Sequence, residues 1–251
     1  MNVRSVDRAV AILEYLAGSD RPAQLRELSE AIDAPKSTTL NIARTLATRR
    51  LLSFDDATKA YQLGPRLGQF ATHAPHGPDL RRVARPHLER LARDTGEGAF
   101  LSVLEGDEVV YIERVESAQP IRYAAPVGGR RPLHCTSAGK IALAMSPVGL
   151  VERYVERGLV RQTRSTITDA AELARQLARA RQRGWADARD ESVVGLTGIA
   201  APIVGPSGAL VAMLTVAGPT FRMRGQQRAV QVAVCAAARA ISLDYAGAAG
   251  S

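Results

Sequence analysis

The first third of the chain alternates short amphipathic stretches with polar turns. Three of these stretches have apolar side chains at helical spacing. They are Val6, Val10, Ile12, Leu13 and Leu16, then Leu25, Leu28 and Ile32, and then Ile42, Ala43 and Leu46. Ser5 can cap the first predicted helix and Gly18 can end it. A short turn at residues 33–35 precedes the third helix, which we predict to run from Lys36 to Thr48.

A β-hairpin is predicted directly after the third helix. Residues 51–54 and 61–63 have the composition of strands, and the polar residues 55–58 form the tip between them. Three short helices followed by a hairpin, all within residues 1–64, are typical of a winged helix-turn-helix. We therefore predict a DNA-binding domain over these residues.

The pattern changes after the Pro- and Gly-containing residues 72–79. The predicted elements around and beyond this boundary are a short helix at 64–71, a helix at 80–95, a strand pair at 99–115 turning at Gly106-Asp107, a strand at 120–128, helices at 136–145 and 169–184, a hairpin at 198–218, and a last helix from Gly225 to Tyr245. Helices alternate with antiparallel hairpins and no βαβ unit recurs, so the fold class is α+β. The predicted domains are 1–64, a linker helix and boundary at 65–79, and 80–251.

The third predicted helix has an inward and an outward face. Helical geometry turns Thr39, Ile42, Ala43 and Leu46 toward the first two helices. The outward residues are Lys36, Ser37, Thr38, Leu40, Asn41 and Arg44, with Arg49 and Arg50 directly after the helix and Lys59 in the hairpin. Such cations, hydroxyls and amides bind phosphates and base edges. We predict that these residues contact DNA; the alternative is a solvated, well-capped helix face.

Charge agrees with a polyanionic partner but does not identify one. The 251-residue chain has a formal net charge of +8 and a pI of about 10.1. The first 75 residues hold ten basic and eight acidic side chains, so their net charge is only +2. The evidence for DNA binding is therefore the clustering of cations on one helix and just after it.

The remaining composition excludes several classes of protein. Cys135 and Cys235 lie far apart without a CxxC motif, which argues against a disulfide framework and a cysteine zinc site. Asp7 and Glu14 interrupt the apolar N-terminal pattern, so it does not resemble a signal peptide. We also see no apolar run of membrane-spanning length. We expect a soluble cytoplasmic protein without a metal or cofactor.

Residues 137–140 match the S-x-x-K motif of penicillin-binding enzymes, in which a serine is the nucleophile and a lysine can act as its base. No S-D-N or K-T-G motif accompanies it, so a hydrolase using Ser137 and Lys140 is the weaker alternative to a non-enzyme. A phosphate-binding loop is excluded because His134 stands where the first glycine is needed and Ile141 follows the lysine. We interpret His134 as a hydrogen-bonded pocket or core residue rather than a catalyst, and His73 and His76 as solvated.

The stretch "HCTSAGK", residues 134–140, opens a predicted helix. The free N–H groups of a first helical turn can hold a carboxylate without a charged side chain. We favour this use of Ser137, Ala138 and Gly139, while an ordinary helix start with hydroxyl caps is the alternative.

The sequence resembles the IclR family of bacterial transcriptional regulators over almost its whole length. "RAVAILEYLA", "PKSTTLNIARTL" and "YQLG" resemble the family's first helix, recognition helix and wing. "VGGRRPLHCTSAGKIALA", "GWADARDESVVGLTGIAAPIV" and "VAMLTVAGP" resemble its three effector-domain blocks, in order. The resemblance implies a DNA-binding domain, a linker helix, a GAF-like domain that binds a small molecule, and dimers or tetramers.

The resemblance also implies positions for the effector contacts. They are Tyr123, Arg131, His134, Ser137, Ala138, Gly139, Ala188, Leu196, Gly198, Thr215 and Ala217. In relatives that bind small keto acids it places an aspartate, a cysteine and two serines where this chain has Ala188, Gly198, Thr215 and Ala217. We therefore predict a wider, less polar pocket and an effector with one carboxylate and an apolar or aromatic body. Arg131 either clamps the carboxylate or points to solvent.

Overall fold

The computed structural model describes residues 3–19, 21–67 and 80–249. The chain divides into two compact units, Met1–His76 and Gly77–Ser251. The elements of the first unit are α1 (Arg4–Ala17), β1 (Ala23–Gln24), α2 (Leu25–Ala31), α3 (Lys36–Thr48), β2 (Leu52–Asp55) and β3 (Ala60–Leu63). Most of the predicted linker and boundary, including His73 and His76, lies outside the described residues.

Residues 3–19 and 21–63 of the first unit form three helices and a three-stranded sheet in the order β1-β3-β2. Most of the apolar positions predicted from helical spacing form its core, with Ile12, Leu28 and Ala43 fully buried, whereas Val6 and Val10 are exposed. The β2–β3 hairpin is confirmed, whereas the pairing of β1 with β3 was not predicted because β1 is only two residues long. The predicted cap at Ser5 is wrong, because Ser5 lies inside α1, which begins at Arg4. The residue at the cap position is Val3, and it makes no side-chain cap hydrogen bond.

The second unit confirms the α+β class. Its elements are α4 (Leu80–Thr95), β4 (Gly98–Glu105), β5 (Glu108–Val115), β6 (Arg130–Pro132), α5 (Ser137–Met145), α6 (Val148–Glu156), α7 (Ala170–Arg183), β7 (Ala186–Arg189), β8 (Leu196–Val204), β9 (Leu210–Pro219) and α8 (Thr220–Ala249). The strands form one antiparallel sheet in the order β6-β5-β4-β9-β8-β7.

Helices cover both faces of this sheet. Because side chains alternate along a strand, Ile199 and Ala201 pack with α4 and α8, while Ala200 packs with α5 and α7. The second face also holds a smaller aromatic cluster next to the α5 layer. The predicted effector positions on β8 and β9 belong to this second face.

Three predictions for the second unit need correction. Residues 120–128 were predicted as a strand but form none. The strand in this region is β6, residues 130–132, which follows a turn at Gly128 and Gly129. Neither the nine-residue α6 nor the four-residue β7 was predicted. The last helix begins at Thr220 rather than Gly225. Two hydrogen bonds hold its first residue, because the Thr220 N–H donates to the Gly195 carbonyl and the Thr220 hydroxyl donates to the Asp190 carboxylate.

The expectation of no membrane-length apolar run is also wrong for α8. Thr220–Ala248 is long enough, with a mean hydropathy of 1.2 over its most apolar window, to span a bilayer by length and composition. One side of this helix, including Met223, Val234 and Ile241, is buried in the core against the sheet. Of the apolar window of this helix, 22% is buried inside the described structure.

Candidate functional site

The α3 helix presents the outward face that its sequence predicted. Thr39, Ala43 and Leu46 are buried, and the Thr39 hydroxyl donates to the Pro35 carbonyl over 3.1 Å. The residues predicted to contact DNA on this helix lie on the other side. Lys36, Ser37, Asn41 and Arg44 are exposed, and Thr38 and Leu40 are half-buried.

Arg49 and Arg50 are held in a fixed backbone turn after α3. Arg50 has a φ of +59°, and its carbonyl lies so close to Gly64 that a Cβ there would come within 2.3 Å. The Arg66 side chain donates to the Arg49 carbonyl over 3.3 Å. Arg66 therefore joins this basic cluster, which sequence reasoning missed because the residues are 17 positions apart.

Lys59 sits at the end of the hairpin tip with a positive φ of 53°. Its ammonium lies 3.2 Å from Asp56 and 5.9 Å from the centre of the Phe54 ring. Both charged side chains are exposed, so this ion pair is weak and leaves Lys59 able to exchange Asp56 for a phosphate.

The second candidate site lies on the α5-facing side of the large sheet. Ala188, Gly198 and Ala217 stand opposite one another on neighbouring strands. Leu196 and Ala217 join the aromatic cluster that contains Tyr123 and Phe100. The structure thus brings together the predicted effector positions of β7, β8 and β9.

Ser137 bears on the predicted effect of Gly198. A Cβ built on Gly198 would meet the Ser137 hydroxyl oxygen at 2.8 Å. The Ser137 hydroxyl therefore lies in the space beside Gly198, while a wider and less polar pocket stays a prediction. Thr215 adds a second hydroxyl: it is buried, and its Oγ1 has no hydrogen-bond partner among the described residues. An unpaired buried hydroxyl is costly and is typical of a ligand or water site.

Aromatic rings form the wall beside these hydroxyls. The Phe100 ring centre lies 5.5 Å from that of Tyr111 and 5.4 Å from that of Tyr123. Burial raises the pKa of the Tyr111 phenol well above its ordinary value, and the hydrogen-bonded Tyr123 adds to this, while the nearby charge of Arg131 opposes it. Sequence reasoning missed Phe100 and Tyr111, whose alternation along β4 and β5 was the available signal.

The start of α5 is partly available for an anion. Within the described residues the N–H groups of Ser137 and Ala138 have no backbone partner. The N–H of Gly139 instead donates to the Thr136 hydroxyl over 3.1 Å, so its predicted anion contact is wrong. Gly139 serves packing: a Cβ there would lie 2.2 Å from the Leu133 carbonyl oxygen.

His134 is a structural residue. Its Nδ1 lies 2.7 Å from the Tyr154 hydroxyl and its Nε2 lies 3.0 Å from the Val160 carbonyl. A neutral ring that carries its proton on Nε2 satisfies both partners, and burial lowers the pKa of His134 in agreement with this. Because both ring nitrogens are engaged, the predicted effector contact by His134 is not supported by the structure.

A buried ion pair lies behind the start of α5. The Lys140 ammonium donates to Glu191 (2.6 Å), to Gln176 (2.7 Å) and to the Asp187 carbonyl (3.0 Å). All three of its protons are used and none points to Ser137, so the geometry of a serine–lysine hydrolase is not present. Burial raises the pKa of Glu191, opposed by Lys140, and Glu191 Oε2 has no partner among the described residues.

The sequence matches known families and proteins over nearly its whole length. The family described as "IclR helix-turn-helix domain" matches residues 5–56, and "Bacterial transcriptional regulator IclR C-terminal" matches residues 72–243. The HTH-type transcriptional regulator BhcR of Paracoccus denitrificans (strain Pd 1222) is 36% identical over 246 residues, covering 97% of this chain and 88% of BhcR. The HTH-type transcriptional repressor AllR of Salmonella typhi is 32% identical over 221 residues, covering 88% and 81%.

Solved structures agree with these sequence matches. An IclR homologue from Microbacterium hydrocarbonoxydans, crystallised in complex with 4-hydroxybenzoate, has a TM-score of 0.87 and 29% identity, covering 97% of this chain and 99% of the homologue. An IclR transcriptional regulator from Alicyclobacillus acidocaldarius has a TM-score of 0.85 and 28% identity, covering 98% and 100%.

Proposed function

The chain belongs to the IclR family of bacterial transcriptional regulators, and we propose that it is a cytoplasmic regulator of a catabolic or metabolic operon, switched by a small carboxylate. The observation that carries DNA binding is α3, whose buried face fixes Lys36, Asn41 and Arg44 outward on one side. A ligand switches such a protein if it binds the DNA-bound and DNA-free conformations unequally. The relatives named as transcriptional regulators support this function over an enzyme.

We expect a pseudo-palindromic operator bound by a homodimer or tetramer. One helix of this length reads only a few base pairs, so two copies are needed, with half-sites about 34 Å or a multiple apart. The exposed apolar side chains of Val6 and Val10 on α1, and of Val3 just before it, support self-association. Footprinting on the DNA upstream of the gene should show two related half-sites, with affinity that falls steeply as salt rises. A single asymmetric site bound by a monomer would contradict this.

We expect Asn41 to read an A·T pair near the centre of each half-site. The family often has arginine here, which favours guanine, whereas asparagine pairs bidentately with adenine. Asn41→Ala should lose about 1–3 kcal/mol on the operator and relax the preference at that position. Lys36→Ala is the matched control. It should weaken binding to all DNA sequences alike and reduce the slope of log affinity against log salt concentration by about one. An unchanged base preference in Asn41→Ala means that the side chain reads no base.

We infer that the effector is an aromatic carboxylate. Its carboxylate would accept from the free N–H groups of Ser137 and Ala138, where the dipole of α5 favours negative charge. Its ring would lie against Phe100 and Tyr123. The unpaired Thr215 hydroxyl would bond a polar substituent on the ring. The 4-hydroxybenzoate complex of the Microbacterium hydrocarbonoxydans homologue supports this class.

Arg131 is the second candidate for holding the carboxylate. It lies on β6, half-buried, and its charge acts on the buried Tyr111 phenol. One of its guanidinium nitrogens donates to the Arg130 carbonyl over 2.8 Å. The remaining donors of its planar group would suit a carboxylate.

Thermal shift should separate the two effector classes. Benzoate and 4-hydroxybenzoate should raise the melting temperature, by the equivalent of about 2.7 kcal/mol at a hundred times Kd, whereas glyoxylate and pyruvate should not. Thr215→Val should weaken the binding of 4-hydroxybenzoate more than that of benzoate, because it removes the hydroxyl that would bond the polar substituent on the ring. Gly198→Cys should weaken both, since the new side chain displaces Ser137. Stabilisation by the keto acids alone, with no effect of Gly198→Cys, would overturn this assignment.

A further inference from the structure

Residues 116–129 form an irregular segment beside the candidate effector site. The segment joins β5 to β6 and contains no strand of its own, but at its end the Gly128 N–H donates to the Tyr111 carbonyl over 2.7 Å and the Gly129 carbonyl accepts from the Tyr111 N–H over 3.1 Å. It nevertheless places Tyr123 against Phe100 and buries Ala125 completely in the aromatic cluster. Arg114 donates to the Ala125 carbonyl over 2.6 Å and thereby holds the second half of the segment. A ligand packed against Tyr123 therefore contacts an irregular segment whose second half is hydrogen-bonded to β5.

The first half of the segment is held from α8. Glu97 is 1% exposed, and both of its carboxylate oxygens accept from Arg222, over 2.6 and 2.9 Å. The same guanidinium donates to the Ile121 carbonyl over 2.7 Å. The carboxylate is seated against Gly218, where a Cβ would come within 2.3 Å of Glu97 Oε2. One arginine thus joins α8, the start of β4 and the segment.

The same segment is also bonded to the end of α4. The Ser117 hydroxyl donates to the Gly96 carbonyl over 2.6 Å, and Gly96 follows α4 directly with a φ of +71°. Glu97, the partner of Arg222, is the next residue. In sequence, α4 is also the first described element after the DNA-binding unit. The segment over the site and the C-terminal end of α4 therefore share two adjacent anchors.

We propose that the Glu97–Arg222 pair is a latch that fastens the segment 116–129 to the end of α4, so that a ligand that moves the segment also moves α4. The role of the segment as a cover rests on the effector site proposed above, but the latch itself does not require a ligand. Bidentate Arg–carboxylate pairs are geometrically specific. A lysine at 222 keeps the charge but cannot bond both carboxylate oxygens and the Ile121 carbonyl in this planar geometry.

Hydrogen exchange on the full-length protein without ligand tests the latch. In Arg222→Lys, amides of residues 117–125 and of residues 93–97 should both exchange about tenfold faster, while α5 and α7 keep their wild-type rates. Ser117→Ala, which removes only the second anchor, should accelerate residues 95–97 and 117–119 by a smaller factor. Arg130→Lys is the matched control, because Arg130 also bonds two carboxylates, Glu105 and Glu108, but on the surface.

The outcomes separate the latch from the effector site. The latch is overturned if Arg222→Lys speeds amide exchange only in the first turn of α8. It is also overturned if Arg130→Lys speeds exchange of residues 93–97 and 117–125 as much as Arg222→Lys does. If Arg222→Lys does not fold, the Ser117→Ala variant decides. Unchanged amide exchange in this variant at both residues 95–97 and residues 117–119 counts against the proposal. Failure of benzoate, 4-hydroxybenzoate and the keto acids to bind would refute the effector assignment and leave the exchange result standing.

Discussion

Lys140→Met should destabilise the second unit by about 3–5 kcal/mol at neutral pH, because it leaves the Glu191 carboxylate buried without its cation. Lys140 is 1% exposed, and its ammonium bonds three acceptors drawn from α7, β7 and the loop after β7. Denaturant unfolding, followed separately for the two units, should show the loss in the second unit only. A loss below about 1 kcal/mol would mean that water enters and solvates Glu191.

The pH dependence and a double variant identify the cause. Burial already raises the pKa of Glu191, and loss of Lys140 should raise it further. An acid whose folded pKa is raised stabilises the fold below its unfolded pKa and loses that stability as pH rises through the folded pKa. The deficit of Lys140→Met should therefore shrink from about pH 8 to about pH 5. Lys140→Met combined with Glu191→Leu should recover most of the loss, because neither buried charge is then unpaired.

Gly139→Ala should cost about 3 kcal/mol or prevent folding of the second unit, since overpacking against backbone cannot be relieved by a rotamer change. The new Cβ would lie 2.2 Å from the Leu133 carbonyl oxygen and 2.4 Å from its Cα. The start of α5 would have to move away from the residues before it. We expect a lower melting temperature of the second unit and weaker binding of aromatic acids.

Gly225→Ala is the matched control for this substitution. Gly225 also lies in a helix, α8, but a Cβ added there would meet no atom within 4 Å outside the helix's own backbone. Replacing an unhindered helical glycine by alanine should stabilise the protein, by up to about 1 kcal/mol. Equal destabilisation by both substitutions would show that the close approach at Leu133 is not the cause.

The sequence by itself determined the elements whose signals are local. The apolar spacing of α3 is complete within 13 residues, so its bounds and its buried Thr39, Ala43 and Leu46 were predicted correctly. The same holds for α7, where Asp169 caps the helix and Gly184 ends it in the left-handed conformation. These patterns work because a helix fixes which of its own residues share a face. They also limited the choice of fold to α+β.

Only the tertiary structure decided the chemistry of the candidate site. Lys140 meets Glu191 across 51 residues, and Arg222 meets Glu97 across 125, so no spacing rule could pair them. The predicted contact at His134 failed for the same reason, because Tyr154 and Val160 engage its ring across 20 and 26 residues. The predicted contact at Gly139 failed for a local reason, since its N–H donates to the Thr136 hydroxyl three residues earlier. A sequence states which polar groups a chain carries. Whether each group is paired or free to bind depends on the contacts that packing makes, and those are set by the whole fold.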